Sequence, residues 1–599
     1  MRRSARGGGS TSWQESKGEW AETRRPGPES AADLGAWPRH VVEALLLLKA
    51  DDKRSNLARA EVEIRANALR TVLHRGLVIR SDYSGYDGPR EAMRLGVTAA
   101  GRLMNWKFQT WPLKFQHACD SAAVPLDLLC EMATWDSEAD GDGGSCVFED
   151  LWHRIPPWAA QWLEAAMPDK EATRDDKRRA HADIAKYLKD HRAILFTPDS
   201  KSPCRVHRRN CLVHGGGAHT SDKALRQFAP LQLNIAGITC LPWTIAGPGD
   251  AEASCHEVPF RIWSEERRHW AELEMEDAFF YECTPRFPAN KFSDDFQASH
   301  SMHWIVTGPE YMGWPHKRKR LLGFAVNRKT HQWIGPSTQI ALQKSFDELF
   351  QRSTLLSGDA LMMASDQQRA EEYVKMARTQ KMHLDFKNVA DMKHDELLTT
   401  LLLAGGLARL KQWIASAKAA DAGSKCSKQS LGGVMMCDAD QNQVGGSSTA
   451  GSDWPVNLRH GTLVCVRDHD IASSQICTGL EHFSSCGVHV FEEMSAEFGL
   501  SPLLPLLARL EPREQKKLVG NGMHLASQAA WMLFCLCHII TIPAADHADD
   551  TADGRPKKSM RSSSWESVPD WQETQPHEEL SPSSPTSHEF EIEKEMEPP

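Results

Sequence analysis

Short apolar runs alternate with helical patterns between about residues 76 and 329. Runs rich in β-branched and aromatic residues predict strands. These candidate strands are Leu77–Asp82, Phe115–Asp120, Leu231–Thr239, Ala278–Cys283, His303–Thr307 and Leu321–Val326. Apolar positions at helical spacing predict helices at Pro89–Asn105, Leu126–Thr134 and Trp263–Met275. Strands that alternate with helices predict an α/β domain with a doubly wound, mostly parallel sheet over about residues 75–345.

Polar and glycine-rich stretches divide the rest of the chain. Residues 1–38 and the tail 546–599 have the composition of disordered segments. Residues 423–452 are rich in Gly and Ser and predict a linker or long loop. It lies within a second region, 346–510, whose helical patterns and strand-like GTLVCVRD indicate no function by themselves. The apolar stretch in 511–545 contains His538 and predicts a buried helix rather than a membrane span.

Composition changes this picture little until the charge is located. The hydrophobic content of 41% in 599 residues supports at least one sizeable core. The net charge of −10 disfavours a nucleic-acid partner, but the tail 546–599 alone holds 14 acidic against 5 basic residues. The remaining body is close to neutral, so a local basic groove is compatible with the sequence. The 15 cysteines follow no disulfide framework and no export signal precedes them, which predicts reduced thiols in the nucleus or cytosol.

Three strand ends, those after Leu77–Asp82 and Phe115–Asp120 and the one in VFED before Leu151, carry residues suited to an adenosine cofactor. The first strand continues into SDYSGYDG, in which Gly85 and Gly88 permit close approach of a ligand to the backbone. Asp120 and Asp150 follow the next two strand positions, where carboxylates commonly hold a ribose hydroxyl or an adenine amino group. Each aspartate alone is more often a helix N-cap than a ligand.

Cys240 and Glu282 stand at the ends of two further strands. Cys240 follows LQLNIAGIT and enters a loop, where a thiol can gain access and a lowered pKa. Its alternative role is that of a small buried apolar residue. Glu282, in FYECT, is either a cap or ion-pair partner or a carboxyl group that assists attack on a flipped pyrimidine.

The segment GWPHKRKR precedes the last predicted strand. The charges from His316 to Arg320 can form a solvated face or resemble a nuclear import patch. Entry into a buried strand favours alternation, with Arg318 and Arg320 partly inward and able to hold a carbonyl, carboxylate or phosphate.

In this order the motifs resemble those of the cytosine-5 methyltransferase family. SDYSGYDG is similar to its first motif, ITCLPW to the Pro-Cys motif, FYECT to Glu-Asn-Val and GWPHKRKR to Pro-Gln-x-Arg-x-Arg. LVGNGMHLASQ resembles the final Gly-Asn motif, and together the matches cover about residues 75–340 and 511–540. The resemblance implies a Rossmann-like methyltransferase fold with an inserted target-recognition region at 346–510.

The resemblance also implies roles for individual residues. Cys240 would bond to carbon 6 of cytosine, Glu282 would stabilise the activated ring, and Arg318 and Arg320 would hold the base and the carboxylate. The S-adenosylmethionine site would be lined by Tyr83, Ser84, Gly85, Gly88, Asp120, Asp150 and Asn521. No metal is required for this reaction.

The chain departs from the family pattern at several motif positions. Thr239 replaces Pro before the cysteine, Cys283 and Thr284 replace Asn and Val, His316 replaces Gln, and Gly522 stands where Ser is usual. These changes put loop geometry and rate in question more than the type of reaction.

The insertion at about 160–225 contains CRVHRRNCLVH. Cys204, His207, Cys211 and His214 are residue types that bind zinc, although their spacing is tighter than in common zinc fingers. An insertion loop without metal is the alternative.

Three function classes follow from the sequence. The leading one is a DNA cytosine-5 methyltransferase in the nucleus, because the Cys-Phe-Thr type sequence of relatives that act on transfer RNA is not found at 346–510. The same chemistry on RNA, with a cytoplasmic location, is the second. A catalytically silent nucleic-acid binder, or a plain cofactor-binding α/β protein, is the third.

Overall fold

A computed structural model describes residues 25–47, 56–140, 144–214, 228–243, 251–423, 433–441, 451–457 and 461–542. Within these ranges no helix is both long and apolar enough to cross a membrane. The strands, in chain order, are β1 Arg25–Pro26, β2 Leu77–Asp82, β3 Leu113–Cys119, β4 Cys146–Phe148, β5 Lys201–Cys204, β6 Arg209–Leu212, β7 Leu231–Gly237, β8 Ala278–Cys283, β9 His300–Thr307, β10 Arg320–Asn327, β11 His331–Trp333, β12 Arg352–Ser353, β13 Val434–Asp438, β14 Leu463–Arg467, β15 Asp470–Ile476 and β16 Ile539–Thr541.

A nine-stranded sheet forms the centre of the fold, in the order β6-β5-β4-β3-β2-β7-β8-β10-β9. The five strands from β4 to β8 in this order are parallel, and β10 is antiparallel to both β8 and β9. The chain leaves β2 toward β3 on one side and later returns to β7 on the other. This confirms the α/β, doubly wound, mostly parallel sheet and puts a topological switch point between β2 and β7, where such folds bind ligands.

Helices cover the sheet and build the second region. Among the described residues, the helices of eight or more residues are Trp37–Leu46, Asn56–Arg75, Gly88–Leu103, Ala123–Asp140, Pro157–Ala166, Arg174–Asp190, Glu257–Glu272, Ala289–Phe296, Gln339–Phe350, Asp366–Thr379, His394–Leu401, Ala404–Gly423, Pro512–Asn521 and Leu525–Leu536. The shorter ones are Ala31–Gly35, Arg192–Leu195, Phe386–Asp391, Gly479–Ser485, Glu492–Ser495 and Leu504–Arg509.

Each of the six predicted strands is present, and the bounds of Leu77–Asp82 and Ala278–Cys283 agree at both ends. The short strands β5 and β6 were not predicted, because neither has an apolar run long enough to stand out, whereas β4 is the strand expected just before Asp150. The helix Leu525–Leu536 is buried along its whole length, as its apolar composition predicts. It packs against the helix Gly88–Leu103, where a Cβ on Gly96 would lie 3.0 Å from Leu533 Cδ1. Glycine therefore lets the two helices approach closely beside the switch point.

The boundaries predicted from composition need two corrections. Residues 25–38, predicted disordered, contain β1 and helices, and the Trp37 indole donates a hydrogen bond to Gly487 O at 3.0 Å. The predicted linker 423–452 contains β13, which pairs with β14 in the three-stranded sheet β13-β14-β15. Buried apolar residues tie both segments down despite their polar neighbours. Residues 1–24 and the acidic tail 546–599 lie outside the described residues.

Candidate active site

The carboxyl ends of β7 and β8 bring Cys240 and Glu282 to the same edge of the sheet. The two strands are parallel, with Gly237 opposite Glu282, and the Ile238 N–H donates to Glu282 O at 3.1 Å. Cys240 follows two residues later and is half-buried. The β-sheet register therefore positions a thiol beside a carboxylate although 42 residues separate them in sequence.

Glu282 is held by an arginine from β10, the strand beside β8 in the sheet. Arg320 begins β10, and its Nε lies 2.8 Å from Glu282 Oε1. The side chains of Arg320 and Glu282 are 16% and 9% exposed, so both keep some contact with solvent. This ion pair fixes the carboxylate while leaving it within reach of a ligand.

Arg318 lies deeper than Arg320, and none of the carboxylates in the described ranges contacts its guanidinium. Its Nη2 donates to Gly522 O and to Gly520 O, the latter at 3.3 Å. Its Nε and Nη1 are buried and have no partner within the described part of the chain. Burial lowers the pKa of Arg318, as does the neighbouring Arg320. A buried cation with free donors is costly unless it binds something, so this edge is built for an acceptor group.

The segment His316–Arg320 alternates between inside and outside, as its entry into a buried strand predicts. His316, Arg318 and Arg320 point inward to different depths, whereas Lys317 and Lys319 are exposed. The His316 Nδ1–H donates to Ser485 O at 2.6 Å, which ties the segment to the second region of the chain. The two arginines therefore lie inside the protein, and only the two lysines of the segment are exposed.

The electrostatics around Cys240 differ from the expectation of a lowered pKa. Burial is the largest influence and raises the pKa of the Cys240 thiol, and Glu282 raises it further. Arg320 and Arg318 act in the opposite direction. The resting thiol is therefore protonated, because desolvation of a thiolate outweighs the attraction of two arginines.

Gly522, a departure from the family motif, is explained by Tyr86. The buried Tyr86 ring lies so close that a Cβ on residue 522 would come within 2.1 Å of Tyr86 Cε1. The Tyr86 hydroxyl donates to Met523 O at 2.7 Å. A serine therefore does not fit at position 522. The Tyr86 ring and its hydrogen bond to Met523 O connect the first motif to the last instead.

The best candidate for a cofactor cradle is the turn after β2. Gly85 adopts φ +57°, and a Cβ built on it would meet no atom within 4 Å, so the backbone borders open space. Asp120, at the end of β3, accepts hydrogen bonds from Gly85 N–H and Ala122 N–H, each at 2.9 Å. Burial raises the pKa of Asp120. A carboxylate with spare lone pairs beside an open turn suits the hydroxyl groups of a ribose.

The other predicted cofactor residues have clearer structural roles. Ser84 Oγ bonds to Ser81 Oγ at 2.8 Å and to the Cys119 backbone, and thereby ties β2 to β3. A Cβ on residue 88 would lie 3.3 Å from the Tyr86 ring and from Leu525 Cδ2, so Gly88 allows close packing at the start of its helix. Asp150 caps a short 3-10 helix, Leu151–Arg154, by accepting from Trp152 N–H at 3.1 Å, which is the alternative considered from the sequence.

Tyr83 and Asn521 complete the predicted set. The Tyr83 hydroxyl is buried without a partner among the described residues, and burial raises the pKa of this group. Its backbone has φ 53°, an uncommon value for a side chain of this size. Asn521 is exposed at the end of the helix Pro512–Asn521, next to the two carbonyls that hold Arg318.

Sequence reasoning missed a buried network of charges that passes from β2 to helix Glu257–Glu272. Asp82 pairs with Arg154 and accepts from Asn234 Nδ2 at 2.8 Å. Arg154 also contacts Glu266 at 2.8 Å, and the chain of pairs continues through Arg267 to Glu276. The acidic and basic residues of HRI and SEERR give a weak signal in the sequence, but their mutual contacts depend on the tertiary fold.

The predicted metal-binding set is also changed. Cys204, His207 and Cys211 come together, whereas His214 lies against Trp270 with ring centroids 3.7 Å apart. His214 Nε2 lies 3.6 Å from Glu266 Oε1, at the edge of the buried charge network. His214 is therefore excluded from the cluster, because the chain turns inward after β6.

Similarity to known proteins is found among solved structures. No protein-family model matches the chain, and no curated protein matches it by sequence. A mutant DNMT2 of Spodoptera frugiperda matches with 10% identity and a TM-score of 0.31, covering 77% of this chain and 99% of that one. The Dnmt2 methyltransferase of S. pombe gives 10% identity, TM-score 0.33 and coverages of 77% and 98%. A putative prophage DNA modification methyltransferase from E. coli matches with 11% identity and a TM-score of 0.32, covering 77% of this chain and 98% of that one. At these TM-scores, functional inference has to come from the contacts of this chain itself.

Proposed function

We propose that this protein is an S-adenosylmethionine-dependent cytosine-5 methyltransferase that acts on DNA through a covalent adduct at Cys240. The observation that carries the proposal is the convergence of Cys240, Glu282, Arg318 and Arg320 from three strand ends onto one edge of the sheet. The Glu282–Arg320 pair at 2.8 Å and the open donors of Arg318 give this edge a nucleophile, a carboxyl group and cations together. Covalent attack on a pyrimidine needs these three kinds of group.

The resting thiol and its cations define the first step. Of the three charged side chains that act most strongly on Cys240, Arg320 and Arg318 are cationic and Glu282 is anionic. Loss of the thiol proton to solvent would place a thiolate beside a local excess of positive charge. The thiolate then adds to carbon 6 of cytosine. Glu282, which takes up a proton from solvent when the base binds, donates a hydrogen bond to the ring nitrogen, so that the electrons of the ring move toward that nitrogen.

The remaining steps restore the enzyme. S-adenosylmethionine, when bound, supplies an electrophilic methyl group. Once carbon 5 of the ring has gained that methyl group and lost its proton to a base, the carbon–sulfur bond to Cys240 breaks and the thiolate leaves. Arg320 keeps Glu282 in place throughout, and Arg318 donates from Nε or Nη1 to the base carbonyl.

The residues of the β2 turn fit the cofactor. Gly85 leaves open space at the switch point, and Asp120 offers a carboxylate beside it. Tyr83 contributes a buried hydroxyl without a partner in the described structure. These three residues would hold the ribose and the adjoining part of the cofactor.

DNA is the proposed substrate because the region 346–510 does not contain the Cys-Phe-Thr type sequence of relatives that act on transfer RNA. The target cytosine would have to leave the base stack to reach Cys240. We also propose a nuclear location, because DNA is the proposed substrate. The segment His316–Arg320 adds no support for this location, since its two arginines lie inside the protein.

A catalytically silent nucleic-acid binder is the second candidate. The observation that favours it is the raised pKa of Cys240, together with Thr239 in place of the family's proline. A thiol that never ionises would leave the base-binding residues intact but the reaction blocked.

Trapping with 5-fluorocytosine tests the proposal. The full chain is incubated with labelled S-adenosylmethionine and duplex DNA or RNA that contains the fluorinated base, then denatured. Because fluorine at carbon 5 cannot leave as a proton would, the covalent adduct should persist with wild type and be absent with Cys240→Ala. The exposed Cys255 provides the control Cys255→Ala, which should be trapped as well as wild type.

The outcomes separate the candidates. An adduct with DNA supports the proposal, and an adduct with RNA alone moves the same chemistry to RNA. Nucleic-acid and cofactor binding without an adduct identifies the silent binder. Absence of cofactor binding overturns the methyltransferase proposal.

A further inference from the structure

Three cysteines and one histidine converge at the edge of the central sheet, away from Cys240. Cys146 begins β4, Cys204 ends β5, His207 lies in the turn that follows, and Cys211 lies on β6. Their ligand atoms all lie within 4.8 Å of one another. His207 Nδ1 is 3.3 Å from Cys204 Sγ, 3.4 Å from Cys211 Sγ and 3.5 Å from Cys146 Sγ.

Hydrogen bonding alone does not explain this arrangement. The Nδ1 atom of an imidazole has either one proton or one lone pair in the ring plane, so it makes one good hydrogen bond. Instead, the three sulfur atoms lie at nearly equal distances from this nitrogen, and all four atoms lie within 4.8 Å of one another, as ligands around a central point do. A single ion at that point would satisfy all four ligands together.

The distances suit zinc. With Zn–S of about 2.3 Å and Zn–N of about 2.0 Å, tetrahedral coordination puts sulfur about 3.5 Å from nitrogen and about 3.8 Å from another sulfur. The three observed sulfur–nitrogen distances lie within about 0.2 Å of this value. Three thiolates and an imidazole form one of the common ligand sets of structural zinc, and soft sulfur ligands disfavour magnesium or calcium.

The backbone supports this ligand set. The His207 N–H points at Cys204 Sγ at 3.5 Å, a contact that favours a thiolate over a thiol. Cys204 pairs with Phe148 across β4 and β5, and Arg205 N–H donates to Val147 O at 2.9 Å. The turn that contains His207 is thereby held against β4, the strand that contributes Cys146.

We propose that Cys146, Cys204, His207 and Cys211 bind one structural zinc ion. The ion joins the β5–β6 hairpin of the insertion to β4, a strand of only three residues. Asp150 and the short helix that bears Arg154 follow β4 directly. Zinc therefore stabilises the sheet edge that leads into both the cofactor side of the site and the buried charge network.

Zinc content and cobalt spectra test the proposal. The full chain is purified under reducing conditions with zinc, dialysed and measured by elemental analysis. Wild type and Cys255→Ser should each hold about one zinc per chain, whereas Cys146→Ser and Cys211→Ser should lose most of it. Cobalt(II) in place of zinc should give the visible bands of a tetrahedral thiolate site in the first two proteins only.

A conservative variant separates loss of a ligand from failure to fold. Cys146→His replaces the sulfur ligand with a nitrogen ligand and should retain metal with one fewer sulfur–cobalt charge-transfer contribution. The proposal is overturned if reduced wild type binds neither zinc nor cobalt, or if Cys146→Ser binds zinc as wild type does. Retention in Cys146→Ser together with loss in His214→Asn would instead support the set indicated by the spacing of the sequence.

Discussion

The candidate active site and the buried charge network differ in how their charged side chains are paired. In the network acidic and basic side chains alternate in contact, from Asp82 through Arg154, Glu266 and Arg267 to Glu276. The side chains of this chain of pairs are 0 to 1% exposed. At the site, Glu282 pairs with Arg320, and Glu310 accepts from the Arg318 backbone N–H at 3.1 Å. Among the described residues, the Arg318 guanidinium donates to backbone carbonyls and has no carboxylate partner.

This difference distinguishes charges that hold the fold from charges kept for a ligand. Paired charges cost less to bury, because each partner replaces part of the lost hydration. The excess cation at the site is left for a group that arrives later, either a thiolate or a base carbonyl. We expect substitutions in the network to lower stability and substitutions at the site to lower reactivity.

The largest effect should follow from Arg154→Met, which removes the central cation of the network. The carboxylates of Asp82 and Glu266 would then be buried without their shared partner. Removing one member of a buried pair typically costs about 3 to 5 kcal/mol. Urea unfolding followed by tryptophan fluorescence should show this as a much lower midpoint.

An exposed ion pair provides the control for Arg154→Met. The side chain of Arg179 is 75% exposed and lies 3.7 Å from Asp176, so Arg179→Met should leave the midpoint unchanged. A wild-type midpoint for Arg154→Met would contradict the view that the network holds the fold.

A smaller loss is expected for Gly522→Ser, which restores the residue usual in the family. The new Cβ would overlap the Tyr86 ring, and overpacking of this kind costs about 1 to 3 kcal/mol. Tyr86→Leu in the same chain removes the obstructing ring atoms. The double variant should therefore lose less free energy of unfolding than the two single variants added together. Simple additivity would show that Tyr86 does not exclude serine.

The sequence predicts the sheet well because its strands are buried and apolar. The strands Leu77–Asp82 and Ala278–Cys283 begin with the apolar runs LVI and AFFY, and strand ends then indicate where Cys240 and Glu282 lie. Alternation also predicts the inward arginines of the segment before β10. These features are local, so neighbouring residues are enough to predict them.

The remaining features depend on contacts between distant segments. Cys146 lies 58 residues before Cys204, so close spacing pointed to His214 as the fourth metal ligand instead. The raised pKa of Cys240 arises from burial, which the position of a cysteine in a loop does not reveal. Likewise, Gly522 and Tyr86 explain each other only when the last motif is folded against the first.

The smallest effect on stability, with a clear effect on chemistry, is expected for Arg320→Gln. Among the charged groups near Cys240, Arg320 does most to lower the pKa of the thiol. Removing this cation disfavours the thiolate and therefore raises the pKa of Cys240 further. A rise of one unit corresponds to about 1.4 kcal/mol and reduces the thiolate fraction about tenfold at a pH below the pKa. Alkylation of Cys240 by iodoacetamide, followed by peptide mass spectrometry across pH, measures this directly without substrate.

Lys319→Gln is the matched control, because it removes an exposed cation one residue away. Its alkylation profile should follow that of wild type, whereas the profile of Arg320→Gln should move to higher pH with a similar urea midpoint. If both variants shift equally, the effect comes from net charge rather than from the Glu282–Arg320 pair. A shift to lower pH for Arg320→Gln would contradict the prediction, because greater exposure of Cys240 in the variant would then outweigh the lost positive charge.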